Sequence, residues 1–473
     1  LLKRVNSFEE RYNRFLHELK DEILTGSIKP GEFILPENTL SKVYDLSRVS
    51  IRKALAELVE EGLIEKIPGK GNRVIVPLET SKQTLSLAWF SDSYEIEIVE
   101  QIIDRFEQLY PFVKINLELI PSSNYIYTLT QMIEHGHGPD VFMVSDYHFR
   151  ELIESEQLDI LDPFVPEHLE PVKDSYTKVF DMFSVGEKPL VTPFVFSPVV
   201  ICYNKKMFKE ANIPDSIQLQ NWEDLLELAR SSTKGATDNQ IIDQYGFCFS
   251  SSSNRYPVFL LQNNGKYVLE DRSESVMDSS ENIEALSFCV DLMYKHKVSP
   301  IFSHGSNELA EHLFMRERAA MILTTYYFMN EFRDHNISWD VLPVPANKTQ
   351  ATLLLGGALG INADSQMKET AKTFINYMVS TEAQTMLKRN GCTIPILRYV
   401  AEDNYLLQPG IHPDNYNAFK EVMPYAQTMR DLNITIEEME RVESELHFLW
   451  ANMEKTEDVL KKIKLQMDDS LGK

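Results

Sequence analysis

Arg48, Arg52 and Lys53 stand close together at the start of one amphipathic stretch, with Ser47 and Ser50 beside them and no acid between. Arginine can pair bidentately with guanine and serine can bond several partners, so a helix presenting them in its first turn has the chemistry to read a DNA major groove. A basic solvated face would look the same taken alone. A second group lies far downstream, directly after runs of apolar β-formers: Trp89 and Asp92, then Ser145, Asp146 and Tyr147, then Tyr203, then Tyr326 and Tyr327. In open α/β sheets ligands sit off the carboxyl ends of strands. Aromatic faces beside hydroxyl and carboxylate groups suit a carbohydrate. Any one such Trp or Tyr packs in a core more often than it stacks on a ligand; it is the set that points to a site.

The first group needs a helix-turn-helix to hold it. Residues 8–25 carry apolar side chains at helical spacing, Leu40 to Tyr44 reads as a short helix, and Asp45-Leu46-Ser47 as a tight turn. Arg48 to Glu61 then forms a second helix with Val49, Leu55, Leu58 and Val59 expected inward. Leu63 to Ile67 and Asn72 to Val76 read as strands joined through Pro68-Gly69-Lys70-Gly71, which makes a wing. The second group needs alternating strands and helices. Strands are expected at 85–90, 113–120, 141–144, 199–203 and 319–323, and helices at 95–110, 125–135, 147–155, 222–231, 282–297 and 368–380. That alternation implies a mainly parallel sheet with helices on both faces, and its length implies two lobes. Residues 78–84 read as a linker, giving domains 1–77 and 85–473.

Charge divides the chain in the same place. Its formal net charge is −24, yet residues 1–77 hold 13 Lys and Arg against 12 Asp and Glu, which leaves 34 against 59 to the remainder. A near-neutral head that tolerates phosphate therefore precedes a body that repels it. Cys202, Cys248, Cys289 and Cys392 form no Cys-x-x-Cys pair, so reduced, buried thiols are expected and no zinc ribbon. His135-Gly136-His137 reads as a solvated turn, and no metal or cofactor is expected. With no apolar leader and no run of about 18 apolar residues, a cytoplasmic location without membrane contact is expected.

Residues 8–77 resemble the winged-helix DNA-binding domain of GntR-type bacterial regulators. The resemblance is carried by Gly26…Pro30-Gly31, by Leu46-Ser47-Arg48-Val49-Ser50-Ile51-Arg52-Lys53-Ala54-Leu55, by Glu61-Gly62-Leu63-Ile64 and by Gly69-Lys70-Gly71. It implies DNA contacts from Ser47, Arg48, Ser50 and Arg52, with Gly69 and Lys70 of the wing near the backbone or minor groove. Such proteins often carry an Arg just before the first motif helix, where this chain has Glu37-Asn38-Thr39.

Residues 84–473 resemble extracellular solute-binding proteins of the sugar-transporter type, with the two-lobed periplasmic-binding-protein fold. The matching pieces include Gly138-Pro139-Asp140-Val141, Tyr203-Asn204-Lys205-Lys206-Met207-Phe208, Asn221-Trp222-Glu223-Asp224-Leu225 and Gly356-Gly357-Ala358-Leu359-Gly360-Ile361. The resemblance implies ligand capture between lobes near Trp89, Asp146, Tyr203, Tyr326 and Gly357. Trp222 is read instead as following a helix N-cap at Asn221.

Together these readings favour a sugar-responsive DNA-binding regulator, a repressor before an activator, acting as a homodimer on operator DNA. A transporter's sugar receptor is the alternative. An aminotransferase-like body is disfavoured, since no Schiff-base lysine setting is found, and no catalytic residue is assigned.

Overall fold

The computed structural model describes residues 8–24, 26–75, 82–169, 176–214, 216–217, 219–235, 242–301 and 309–471. The helix end expected at Thr25, the strand end at Val76 and residues 78–81 of the expected linker lie outside them.

The head is α1 (Phe8–Leu24), α2 (Glu37–Val43), α3 (Arg48–Glu60) and the antiparallel wing β1 (Ile64–Ile67) and β2 (Gly71–Val74). Ser47 caps α3, its Oγ accepting from Ser50 N–H at 3.1 Å, which satisfies one of the open donors of the first turn. Ile51, Ala54, Leu55 and Leu58 face inward. Val49 and Val59, expected inward, are 76% and 39% exposed: the true stripe keeps strict three- and four-residue steps from Ile51, and these two lie off it. Phe15, Leu19 and Ile23 of α1 complete the core. One member comes from the body. Phe112, 2% exposed, packs in this cluster.

The body starts with β3 (Gln83–Phe90), two residues inside the expected linker, followed by α4 (Ile96–Leu109), β4 (Val113–Ile120), α5 (Tyr125–Glu134), β5 (Val141–Ser145) and α6 (Asp146–Glu154). Next come β6 (Thr192–Asn204), α7 (Trp222–Ser232), β7 (Tyr245–Cys248), α8 (Pro257–Gln262), α9 (Ser280–Tyr294), α10 (Leu309–Met315), β8 (Ala319–Thr325), β9 (Trp339–Leu342) and β10 (Thr352–Asn362). Helices α11 (Lys368–Met378), α12 (Thr381–Asn390), α13 (Ile436–Trp450) and α14 (Thr456–Leu471) finish the chain. The principal strands run β7-β8-β6-β10-β5-β3-β4, with β9 also pairing β6.

The sheet is mixed, not mainly parallel. β3 is parallel to β4 and β5, and β7 to β8, but β6 and β10 run antiparallel to their neighbours in that order, although the start of β10 also pairs residues 426–427 in parallel. The reason is connectivity. All 13 residues of β6 are buried; its first half pairs β10 beside the β3–β5 lobe and its second half pairs β8 and β9 in the other. One strand thus crosses between lobes. Its register slips by one residue at Phe194, opposite Gly357/Ala358, a bulge that accommodates Pro193 within a buried strand.

The last helices tie the lobes together. Arg150 of α6 donates to the Ile434 carbonyl at 2.7 Å, and Arg272 of the other lobe reaches Glu438 Oε1 at 2.6 Å. Leu446, Leu449, Val459, Leu460 and Ile463 are buried against the second lobe, while Met453 between them is 72% exposed. The four cysteines are free thiols in the core. Among the described residues no helix is long and apolar enough to cross a membrane.

Candidate functional site

Two surfaces have the required geometry, one on the head and one between the lobes. On the head, Arg48 and Arg52 are exposed on α3, and Lys70 is exposed at the wing tip between Gly69 (φ +75°) and Gly71 (φ +118°). Both φ values lie where L side chains are strained, so the tight wing turn needs glycine there. Ser47 is occupied: its Oγ caps α3 and lies 2.8 Å from Ser50 Oγ. Arg52 is held by Glu37, its Nε donating to Oε2 at 2.7 Å. Glu37 therefore aims the guanidinium across the helix-turn-helix.

Between the lobes is a cavity of about 350 Å³. One wall comes from the ends of β3 and β5, where chain leaving the sheet presents Asp92, Ser93, Tyr94 and Glu95, then Ser145, Asp146 and Tyr147. Asp146 is held as the first residue of α6, with Gly356 N–H donating to its Oδ1 at 3.1 Å. Ser145 and His148 form a reciprocal capping box that fixes this turn. Burial pushes the Asp146 carboxyl up to about 6, against the lowering effect of Gly356 and Arg150. Burial also raises Glu95, whose oxygens accept from Ser93 and Thr393 hydroxyls at 2.6 and 2.7 Å.

The opposing wall comes from Ser252, Ser253, Asn254 and Arg255, the turn between β7 and α8, together with Glu311 of α10 and Thr325 at the end of β8. Phe90, Tyr327 and Phe328 supply ring faces, and Gly356 and Gly357 the floor. A Cβ on Gly357 would lie 2.2 Å from Met143 Cε and 3.2 Å from Val195 Cγ2. Such a wall can stack on an apolar ring face while donating to and accepting from hydroxyl groups around its edge.

Of the residues read from sequence, Asp92, Asp146, Tyr147, Tyr327 and Gly357 line this cavity. Trp89, Tyr203 and Tyr326 do not. Side chains alternate across a strand, and the register of β3 sends Trp89 into the core, fully buried and edge-on to Phe194 at 5.9 Å. Tyr203 packs on Phe208 at 4.8 Å in the second lobe's core. Tyr326 is fully buried, its hydroxyl donating to the Tyr416 carbonyl at 2.7 Å and its N–H donating to Ser197 Oγ at 2.8 Å. Trp222 follows the Asn221 cap of α7, which forms a capping box with Asp224, and its indole N–H donates to Gln262 at 2.7 Å.

The 252–255 turn was not anticipated. A local signal exists in four consecutive serines before Asn254-Arg255, but β7, only Tyr-Gly-Phe-Cys, is too short to read as a strand from sequence, which hides the turn at its carboxyl end.

Comparison with known proteins assigns the two parts separately. The family model described as bacterial extracellular solute-binding protein matches residues 92–385, and that described as bacterial regulatory proteins, gntR family, matches residues 11–74. The body is 22% identical over 312 residues to an arabinooligosaccharide-binding protein of Halalkalibacterium halodurans, covering 62% of this chain and 67% of that one. The head is 41% identical over 63 residues to an arabinose metabolism transcriptional repressor of the same organism, covering 13% of this chain and 17% of that one. An ABC substrate-binding protein of Listeria monocytogenes, solved in complex with cycloalternan, superposes with a TM-score of 0.69 at 25% identity, covering 83% of this chain and 99% of its own.

Proposed function

We propose a function from one premise: the chain belongs to the bacterial extracellular solute-binding protein family, over residues 92–385, and carries a gntR-family domain ahead of it, over residues 11–74. It is a sugar-responsive transcriptional regulator, and its response is repression relieved by ligand. The observation that carries this reading is the presence in one chain of an interlobe cavity walled by carboxylates, hydroxyls and aromatic rings and a winged head with Arg48, Arg52 and Lys70 exposed.

In this reading a sugar or oligosaccharide draws the lobes together about β6, and Asp92, Asp146, Tyr147, Tyr327 and Gly357 contact it. The head reads operator DNA through Arg48, Ser50 and Arg52, with Ser47 fixing the helix start and Gly69 and Lys70 bringing the wing to the backbone. Two copies act as a homodimer inside the cell on half-sites about one helical turn, or a multiple, apart. A ligand shifts the population of closed lobes only as far as it binds that form more tightly. The sugar-binding proteins of transporters among the structural neighbours favour one other reading, a transport receptor; that reading leaves the winged head without a role.

The test joins a thermal-shift screen of mono- and oligosaccharides to an operator-binding assay with the full chain. A ligand that binds only the folded state raises the melting temperature. The expected result is a sugar that does so and also releases protein from a site near its own gene. Tight, salt-dependent DNA binding with no sugar response, or a sugar response with no sequence-preferring DNA binding, counts against the proposal.

A further inference from the structure

The second lobe's wall holds a charged pair whose arginine keeps one buried donor without an acceptor in the protein. Arg255 and Glu311 are 9% and 4% exposed, and Arg255 Nη2 lies 3.8 Å from Glu311 Oε1, close enough for an ion pair and too far for a hydrogen bond. Arg255 Nη1 donates to the Asn254 carbonyl at 3.1 Å, and the Thr324 hydroxyl donates to Glu311 Oε1 at 3.0 Å. The buried Nε–H of Arg255 has no acceptor in the protein. An unmade hydrogen bond on a buried charged donor is costly, and native proteins retain few of them. This one belongs to a cavity-lining residue.

We propose that Arg255 and Glu311 clamp a vicinal diol of a non-acidic sugar, the guanidinium donating to one hydroxyl oxygen and the carboxylate accepting from the neighbouring hydroxyl. The inference rests on the carbohydrate reading above and names the chemical class within it. Adjacent ring hydroxyls are each donor and acceptor, so one sugar edge can satisfy the open donor of Arg255 while its neighbouring hydroxyl donates to Glu311. Charge decides which sugars fit. Against the one guanidinium the cavity carries the carboxyl groups of Asp92, Glu95, Asp146 and Glu311. A uronate would add another anion in a desolvated space where like charges repel strongly. Lysine could not replace Arg255, having a point charge in place of a planar fork.

The test uses the full chain with oligosaccharide mixtures prepared from starch, arabinan and polygalacturonate, bound mass being read by native mass spectrometry and affinity by titration. The wild type is expected to retain neutral oligosaccharide and no galacturonate oligomer. The double variant Arg255→Gln/Glu311→Gln removes both charges, so neither is left buried without its partner. It is expected to keep the wild-type melting temperature and bind about ten- to a hundredfold more weakly, the loss of charge-assisted hydrogen bonds. Should it melt early, the near-isosteric Glu311→Gln carries the same expectation. Wild-type affinity in the folded variants overturns the clamp and leaves the carbohydrate reading standing. Retention of galacturonate oligomers overturns the charge argument. Failure of wild type to bind any mixture overturns the carbohydrate reading, and the clamp with it.

Discussion

Asp146 and His148, two residues apart on α6, respond to pH in opposite directions. Burial pushes Asp146 up to about 6 and pulls His148 down to about 4, the latter resisted by Asp92. A raised carboxyl pKa contributes stability fully present below its unfolded value and lost as pH rises through about 6; a lowered imidazole pKa contributes stability present above its unfolded value and lost as pH falls through about 4. Shifts of about two units each amount to about 3 kcal/mol. In the wild type the two slopes oppose each other between about pH 4 and 6. Relative to wild type, Asp146→Asn should gain about 3 kcal/mol between pH 4 and 7, and His148→Gln should lose a similar amount, by urea unfolding at stepped pH. Parallel pH profiles for all three proteins would mean that neither group titrates with the fold. Asp146 was legible in the sequence because it directly follows an apolar strand. Arg255 was not, because its environment is set by Glu311, 56 positions away, and nothing local announces the pair.

At the scale of elements, α4 joins the two sites. The residues leading into it, Ser93 to Glu95, line the cavity, and about 21 Å along, at 1.5 Å per residue, its far end meets the head: Phe112, just beyond it, packs in one cluster with Phe15, Leu19 and Ile23, and a Cβ on Gly26 (φ +74°) would lie 2.4 Å from the Leu109 carbonyl oxygen. A helix held at both ends moves as a unit, so under the proposed function it would carry lobe closure to the head. Phe112→Ala should remove about 3–5 kcal/mol from this docking. The expected outcome is a head that melts as a separate, earlier calorimetric transition, with sugar affinity unchanged; a single transition at the wild-type temperature would deny the docking any energetic part. Asn221→Ala, by contrast, should cost about 1 kcal/mol at the α7 cap alone, read as a small drop in melting temperature with no change in DNA binding. The head's elements were legible because their signals are local, in the caps, the turn glycines and the three- and four-residue steps. Strand β6 was half legible: Pro193 and Pro198 break the apolar run, and only pairing with β10 and the bulge at Phe194 makes the whole of residues 192–204 one strand.

Over the whole molecule, charge is segregated so that the two proposed binding events would answer to different variables. If the head binds operator DNA through exposed Arg48, Arg52 and Lys70 as proposed, the logarithm of that affinity should fall linearly with the logarithm of salt concentration, and Arg48→Ala should lower that slope by about one if the side chain neutralises a phosphate. Sugar affinity, in the same reading, would rest on groups within the cavity, which salt screens far less. Measuring both across a salt series therefore separates the sites without cutting the chain. Coupling between them is a further, independent quantity. If sugar weakens DNA binding by some factor, operator DNA must weaken sugar binding by the same factor, typically about 5- to 150-fold in coupled systems. Arg48→Ala should lower DNA affinity and leave that factor intact, since it lies at one site; Phe112→Ala should bring the factor toward one while leaving each intrinsic affinity near its wild-type value, since it lies between them. Titrations of sugar with and without operator, and of operator with and without sugar, give the factor twice. Two unequal values would mean that a third equilibrium, such as dissociation of the homodimer, carries part of the response, and the dependence of the discrepancy on protein concentration would then identify it.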